Sequence, residues 1–461
     1  MSRIGLLPLG RPTFDVAFAE EKLAGMLSAL DASGHEIVGP RSLLFDADAT
    51  KAAFRELQSA EPDLLLILQV TFTDASMTIA AANTFPTTPL AIWAVPEPRL
   101  GGRLRLNAFC GLNLASHALG RSGRRFGWLY ADPPAQEDLA LLLNGGRQAG
   151  ELVPVAAPTT AHPDSQAAVA RVRGSKIARV GAHPDGFDTC AYDDAVLADL
   201  ADVTVHPFEL SDLFERAKTV APARTAEVRA LADTTLTGLD DVNAEELDRS
   251  LRLKVALDDL RAEGGFSAFA LRCWPETFTE YGGAICGPVS MMGEAKIPCA
   301  CEADVYGALS QMILQEASSA PIFLVDLVDM DVEDNSGVVW HCGQAPISMR
   351  DPKVAATATI HTNRKMPLLY EFPLKPGRAT LMRISQAHGK PRMVLAGAEV
   401  LERDMAFTGT SGVVRFDRSA AQVLPDIIDS GLEHHMALVY GEHRPVLRAM
   451  ATELGLPLLE L

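Results

Sequence analysis

The first 130 residues alternate apolar strand patterns with helical ones, and few folds accommodate that rhythm. Strand patterns are predicted at Arg3–Pro8, Glu36–Val38, Asp63–Gln69, Leu90–Val95 and Phe126–Tyr130, with helical patterns at Asp15–Leu30, Thr50–Ser59 and Ala75–Asn83 between them. The order predicts a parallel, doubly wound sheet, because each strand returns to the sheet through a helical crossover. A second α/β block follows: strand Lys176–Gly181, helix Asp193–Leu200, strand Val203–His206, helix Asp212–Lys218, a long helix Ala244–Glu263 and strand Ser267–Arg272. Gly264-Gly265 stops the long helix. A loop-like stretch rich in Pro and Ala, 156–164, lies near the boundary between the blocks.

Beyond about residue 335 the character changes. Val354–Ile360, Pro367–Phe372, Thr380–Ser385 and Met393–Val400 read as short β-type segments, punctuated by Pro376-Gly377 and Gly389-Lys390-Pro391. They predict an antiparallel sheet or small barrel. The last 40 residues return to helix and strand, with a helix at Ala421–Asp429 and Gly431 as its stop.

At 461 residues the chain exceeds what one core supports and should hold two or three domains. A formal net charge of −18 argues against a nucleic-acid surface, which needs a basic stripe. The N-terminus runs into a strand without the charged and apolar regions of a signal peptide, and runs such as Leu64–Leu68 are too short to span a bilayer. Seven cysteines without framework spacing suit a reducing compartment, so a soluble cytoplasmic protein is expected. No glycine-rich phosphate cradle is present, which argues against nucleotide chemistry.

Polar residues crowd into 272–346. Glu302 is expected to open a helix over Ala303–Ala317, whose Val305, Leu309, Met312 and Ile313 share a face, and the helix dipole would hold its carboxylate ionised. Asp326 ends the apolar run Ile322–Val325, which reads as a buried parallel strand, and the carboxyl ends of such strands are where open α/β sheets place ligands. With His341 or the Glu433-His434-His435 segment, the two carboxylates form a mixed carboxylate–imidazole set suited to Mn²⁺ and also to Mg²⁺ or Co²⁺. Each element also has an ordinary reading. A glutamate at a helix start commonly complements the dipole, paired histidines before a strand are commonly half-buried polar groups, and His341 beside Trp340 suits a hydrogen-bonded core. Asp329, Asp331, Glu333 and Asp334 read as an acidic loop without calcium-site spacing, and Cys299-x-Cys301 as small buried thiols rather than a zinc pair.

Several segments together resemble the L-fucose isomerase family, metal-dependent aldose–ketose isomerases related to L-arabinose isomerase. They are Pro298-Cys-Ala-Cys-Glu-Ala-Asp-Val-Tyr-Gly-Ala-Leu309, Phe323-Leu-Val-Asp-Leu-Val-Asp329 with Glu333-Asp-Asn335, Trp340-His-Cys-Gly-Gln-Ala-Pro346, Leu374-Lys-Pro-Gly-Arg-Ala-Thr-Leu381, and Gly431-Leu-Glu-His-His435 with Tyr440-Gly441. The resemblance is clear from about residue 270 onward and faint before it. The chain looks closer to the compact fucose-isomerase-like group, whose substrates are diverse. The resemblance implies two doubly wound α/β domains, 1–155 and 156–335, and a carboxy-terminal domain, 336–461, containing an antiparallel β-barrel, with the site between the second and third. It implies Mn²⁺ held by Glu302, Asp326 and His434 or His435. His434 is preferred, since strand alternation sends the two to opposite faces. His341 and the other histidine would contact substrate. The Arg11-Pro-Thr-Phe-Asp15 segment resembles the region that supplies a substrate-binding arginine across a subunit interface, implying a homo-oligomer, trimer or hexamer. Trp93 is a weaker candidate for packing against the sugar.

The implied reaction moves a proton between C1 and C2 of an open-chain, unphosphorylated pentose or 6-deoxyhexose through an enediol. Glu302 and Asp326 would serve as ligands and as the acid–base pair. A hydride shift is the competing mechanism. Epimerisation or carbon–carbon cleavage on the same scaffold, and a non-catalytic sugar-binding protein, are the alternative readings.

Overall fold

In a computed structural model of the protein, residues 1–461 are described apart from 147, 150, 151, 153 and 157–160, so part of the loop expected at 156–164 lies outside the described residues. The described strands fall into three sheets, and the fold is mixed α/β.

The first sheet has five parallel strands in the spatial order Glu36–Val38, Arg3–Leu9, Leu64–Gln69, Leu90–Ala94 and Gly127–Tyr130. Every residue of its central strand Leu64–Gln69 is buried, as helices on both faces require. Asp15 and Asp46 cap the first two helices, Val16–Asp31 and Ala47–Ala60, by accepting backbone N–H groups three residues on. The second sheet has four parallel strands in the order Thr204–Phe208, Lys176–Val180, Ala268–Leu271 and Cys299–Ala300. Gly265 ends the long helix Ala244–Gly264 in the left-handed conformation that glycine adopts without strain.

The third sheet is mixed and has nine strands, from Thr357–Thr359 at one edge to Leu458–Glu460 at the other. Arg392–Val400 makes an additional pairing with Thr410–Phe416. Two expectations are corrected here. The strand carrying Asp326, Phe323–Asp331, is not parallel and does not belong to the second sheet. It runs antiparallel between Ser336–His341 and His435–Tyr440. Nearly all of it is buried because both faces are covered, and a doubly covered strand reads the same in either orientation. Glu302 does not open the helix either. It lies in a short turn with φ 59°, and the helix Val305–Ser318 starts after Asp304, whose carboxylate caps Gly307 N–H at 2.8 Å.

The helix Ala108–Arg121 has no counterpart in the sequence reading. Ala108 through Leu119 are all buried, so it lacks the polar face that gives a helix its periodicity. It joins the first sheet to the third: Asn113 Nδ2 donates to Leu432 O at 3.0 Å, and His117 Nδ1 lies 2.9 Å from Gly431 O. One apolar core runs from Trp93 in the first sheet to Phe323 and Leu438 in the third. Among the described residues no helix is long and apolar enough to cross a membrane.

Candidate active site

All three sheets contribute to one cavity. The loops leaving the carboxyl ends of the first sheet's strands bring Arg11 and Phe72, and the corresponding ends of the second sheet bring Trp274 and Glu302. The third sheet supplies Asp326, His341 and His434, and the turn after Thr357–Thr359 supplies His361 through Arg364.

The cavity floor is a carboxylate–imidazole cluster. Glu302 Oε2 is 3.1 Å from His434 Nε2 and 3.7 Å from His435 Nε2, while His435 Nε2 is 3.2 Å from Asp326 Oδ1. One imidazole edge therefore bridges the two carboxylates. Three tight groups of possible ligand atoms occur among the described residues: Glu302–His434–His435, Asp326–His341–His435 and Cys190–Asp304–His435. His435 is common to all three.

Strand alternation does not separate His434 from His435. The strand begins at His435, so His434 stands outside the pleat and both rings reach the cluster, their centroids 4.0 Å apart. Hydrogen bonding separates their roles. His435 Nδ1 sits 2.9 Å from Asp304 Oδ2, which directs an N–H there and turns Nε2 toward Glu302 and Asp326. His434 instead points Nε2 at Glu302. His341 Nδ1 accepts the Cys342 N–H at 2.9 Å, so the proton of its neutral ring sits on Nε2 and makes that atom a donor.

Burial alone would raise the Glu302 carboxyl, but the hydrogen bond to His434 and the charges of His434 and His435 bring it below its ordinary value. Asp326 shows the same contest: burial raises it, and the surrounding imidazoles, His341 foremost, hold it at about 2. Both carboxylates are thus ionised at neutral pH. His341 goes the other way, pushed by burial down to about 4 and therefore neutral. Burial would also lower His435, but its hydrogen bonds to Asp304 and Asp326 raise it well above the ordinary histidine range. A cation held there would displace that proton.

The donor chemistry fits a divalent ion. Two ionised carboxylates and an imidazole make a hard-to-borderline set, and the buried atoms Asp326 Oδ1, His341 Nε2, His434 Nδ1 and His435 Nε2 lack a well-aligned hydrogen-bond partner. Of the thiols lining the same region, the buried Cys110 and Cys301 and the half-buried Cys342 are pushed upward, which keeps them protonated.

Three residues singled out only by the structure complete the site. Asp304 positions His435 and is itself held by Arg383, with Nη1 at 2.5 Å and Nη2 at 3.1 Å. Trp274 donates its indole N–H to Glu302 Oε1 at 3.1 Å, fixing the carboxylate's second oxygen. Arg364 lies over Trp274 at 5.1 Å. Asp304 had a readable signal, since an aspartate just before an apolar helical run is a cap, and a cap at 304 leaves Glu302 outside the helix. Arg11 lines the cavity of its own chain, in contact with Asp74 and over the Phe72 and Trp274 rings. Trp93 is corrected: it is 0% exposed in the core of the first sheet, its Nε1 donating to Ala131 O at 2.9 Å, and it is not among the cavity-lining residues.

Fold and site together define a multi-sheet α/β protein with a buried carboxylate–imidazole centre in one cavity. The sequence model described as Fucose/sulfoquinovose isomerase, N-terminal domain, matches residues 5–143. The sulfoquinovose isomerase of Clostridium sp. (strain MSTE9) is 30% identical over 458 residues, covering 98% of each chain. That of Alkalicoccus urumqiensis is 31% identical over 462 residues, covering 99% of this chain and 98% of the relative, and that of Priestia aryabhattai is 29% identical over 441 residues, covering 95% and 94%. The chain belongs to the fucose/sulfoquinovose isomerase family of sugar isomerases. Similarity extends through the amino-terminal half, which the sequence motifs alone left faint.

Proposed function

We propose that this protein is a divalent-metal-dependent aldose–ketose isomerase that works through an enediol on an unphosphorylated 6-deoxyhexose. The observation that carries the reading is the meeting of Glu302 and Asp326, drawn from different sheets, on the single imidazole edge of His435. Within the class of 6-deoxyhexoses, the full-length relatives favour sulfoquinovose, whose terminal carbon bears a sulfonate. They supply no support for a pentose.

The chain's own groups account for the proton movement. One carboxylate of the pair takes the proton from C2 as the C1 carbonyl oxygen gains one, giving the enediol. The proton then returns to C1 while the C2 hydroxyl loses its own, leaving the ketose. Trp274 keeps Glu302 in one orientation through this exchange, and neutral His341 presents an Nε2–H to a sugar oxygen. Arg383 and Asp304 hold His435 so that its Nε2 stays at the carboxylates. Mn²⁺, or Mg²⁺ or Co²⁺, held by Glu302, Asp326 and His435 would stabilise the negative charge that develops on the sugar oxygens.

The same reading takes the six strands joined by Thr410–Phe416's pairings with both Ser336–His341 and Arg392–Val400 as the family's barrel, the three domains as 1–155, 156–335 and 336–461, and the working form as a cytoplasmic homo-oligomer, trimer or hexamer. The testing experiment is an Mn²⁺-supplemented screen of sulfonated and uncharged aldoses for ketose formation, with Glu302→Gln and EDTA-stripped protein alongside. Ketose that requires both metal and Glu302 is the expected result. Turnover that survives both would overturn the reading, and metal binding with cleaved or epimerised product would replace isomerisation with other enediolate chemistry.

A further inference from the structure

The cavity that holds the acidic cluster is also lined by the cations Arg11 and Arg364. The turn 361–365 is braced internally: His361 N–H donates to Met366 O at 3.0 Å, Lys365 N–H to His361 O at 2.7 Å, and His361 Nδ1 accepts the N–H groups of Asn363 and Arg364 at 3.2 and 3.3 Å. Arg103 clips this turn to the Arg11 loop, donating to Asn363 Oδ1 at 2.9 Å and Thr13 O at 3.1 Å. The result is a fixed platform for the Arg364 guanidinium, which lies over Trp274 at 5.1 Å and over Phe278 at 5.6 Å. Arg11 stands over the same Trp274 ring at 5.6 Å.

The charges do not cancel locally. Arg11 is paired with Asp74, and the nearby Glu276 is held by both arms of Arg272 at 2.7 Å. Among the described residues no carboxylate pairs with the Arg364 guanidinium. An arginine keeps its charge under all ordinary conditions, and half-burying Arg364 against aromatic rings without a counter-ion carries a desolvation cost that an anionic ligand would offset. Guanidinium matches an oxyanion through two parallel N–H donors, which a solvated lysine does not reproduce.

We propose that Arg364, with Arg11 beside it across Trp274, forms the subsite that receives a singly charged oxyanion on the end of the sugar remote from C1 and C2. The inference rests on the isomerase reading and adds to it the residue that sets substrate class. Trp274 connects the two ends of the substrate, because its N–H holds Glu302 while its face carries the guanidinium. One uncompensated guanidinium suits the single charge of a sulfonate better than a doubly charged phosphate ester. An uncharged terminus leaves Arg364 without a counter-ion and gains nothing from it.

The test compares Arg364→Met and Arg364→Lys with wild type on a 6-sulfonated 6-deoxyhexose, the 6-phosphate, the 6-carboxylate and the uncharged 6-deoxy sugar. In wild type the sulfonated sugar is preferred over the phosphate and the uncharged sugar. Arg364→Met lowers that preference about 10- to 100-fold, chiefly through KM, and Arg364→Lys recovers part of it. Equal losses on charged and uncharged sugars would reduce Arg364 to a structural stack on Trp274, and an unchanged preference would overturn the proposal outright. A calorimetric titration with the sulfonated sugar keeps the test independent of turnover. Should wild type isomerise nothing, the isomerase reading fails, yet binding to wild type and not to folded Arg364→Met still supports the anion subsite. Absence of binding to wild type overturns it.

Discussion

Asp304 Oδ2 stands 2.9 Å from His435 Nδ1 in an interior where both side chains are about 1% exposed, and Arg383 Nη1 meets the same oxygen at 2.5 Å. Burial works against the Asp304 anion, but Arg383 and His435 hold its carboxyl far below the ordinary range. The triad fixes which nitrogen of His435 faces Glu302 and Asp326.

Replacing Asp304 with Asn keeps the shape and removes the charge. Metal affinity and activity are expected to fall roughly 10- to 100-fold through the misdirected imidazole. Arg383 then loses its closest anion, and breaking a buried pair costs about 3–5 kcal/mol. Metal titration and chemical denaturation check the two effects separately; a variant with unchanged metal affinity would show that His435 needs no such support.

Trp93 is expected to matter for stability and not for catalysis. Trp93→Ala opens a void in the first sheet's core and leaves Ala131 O without its donor, at a cost of about 3–5 kcal/mol. Below the unfolding transition KM should match wild type. A raised KM in fully folded protein would restore the sugar-packing role expected from the sequence.

Glu97 organises the segment that brings Leu104 and Asn107 to the cavity. Its carboxylate accepts the backbone N–H groups of Arg105, Leu106 and Asn107 at 2.6, 2.8 and 2.8 Å, while burial pushes its own pKa upward. Glu97→Gln swaps an accepting oxygen for a donating NH₂ and should cost about 1–3 kcal/mol. KM is expected to rise with little change in kcat, measurable by steady-state kinetics beside the melting curve.

Acid stability should depend on Asp334 and Arg403. Hydrogen bonds from Arg403 and Ser336 hold the Asp334 carboxyl at about 2, below its ordinary 3.8. A depressed folded pKa stabilises the fold above the unfolded value and loses that contribution as pH falls through about 2. The pair is one-third exposed, so its contribution falls within the ~0–1 kcal/mol of surface pairs. Arg403→Ala should therefore melt slightly below wild type near neutral pH, and the gap should close in acid and shrink with salt.

Much of the framework was readable because each part of it is local. The five strands of the first sheet were placed within a residue or so by their apolar runs and the helices between them. Glu302 and Asp326 stood out because ionised carboxylates in apolar surroundings demand partners. The helix Ala108–Arg121 did not stand out, because burial on every side removes the amphipathic stripe that periodicity detects. Arg364, in a polar turn between short strands, carries no local signal, and its role comes from the fold laying it over Trp274.

The sequence by itself determined the α/β rhythm, the two carboxylates and the histidine pair, since period, burial preference and charge are properties of neighbouring residues. Only the tertiary structure decided that the Asp326 strand runs antiparallel beside His435, that Asp304 aims that ring, that Trp93 is core, and that Arg364 faces the cavity. Those outcomes depend on which distant segments pack together, and no run of neighbouring residues encodes the geometry of a contact between sheets.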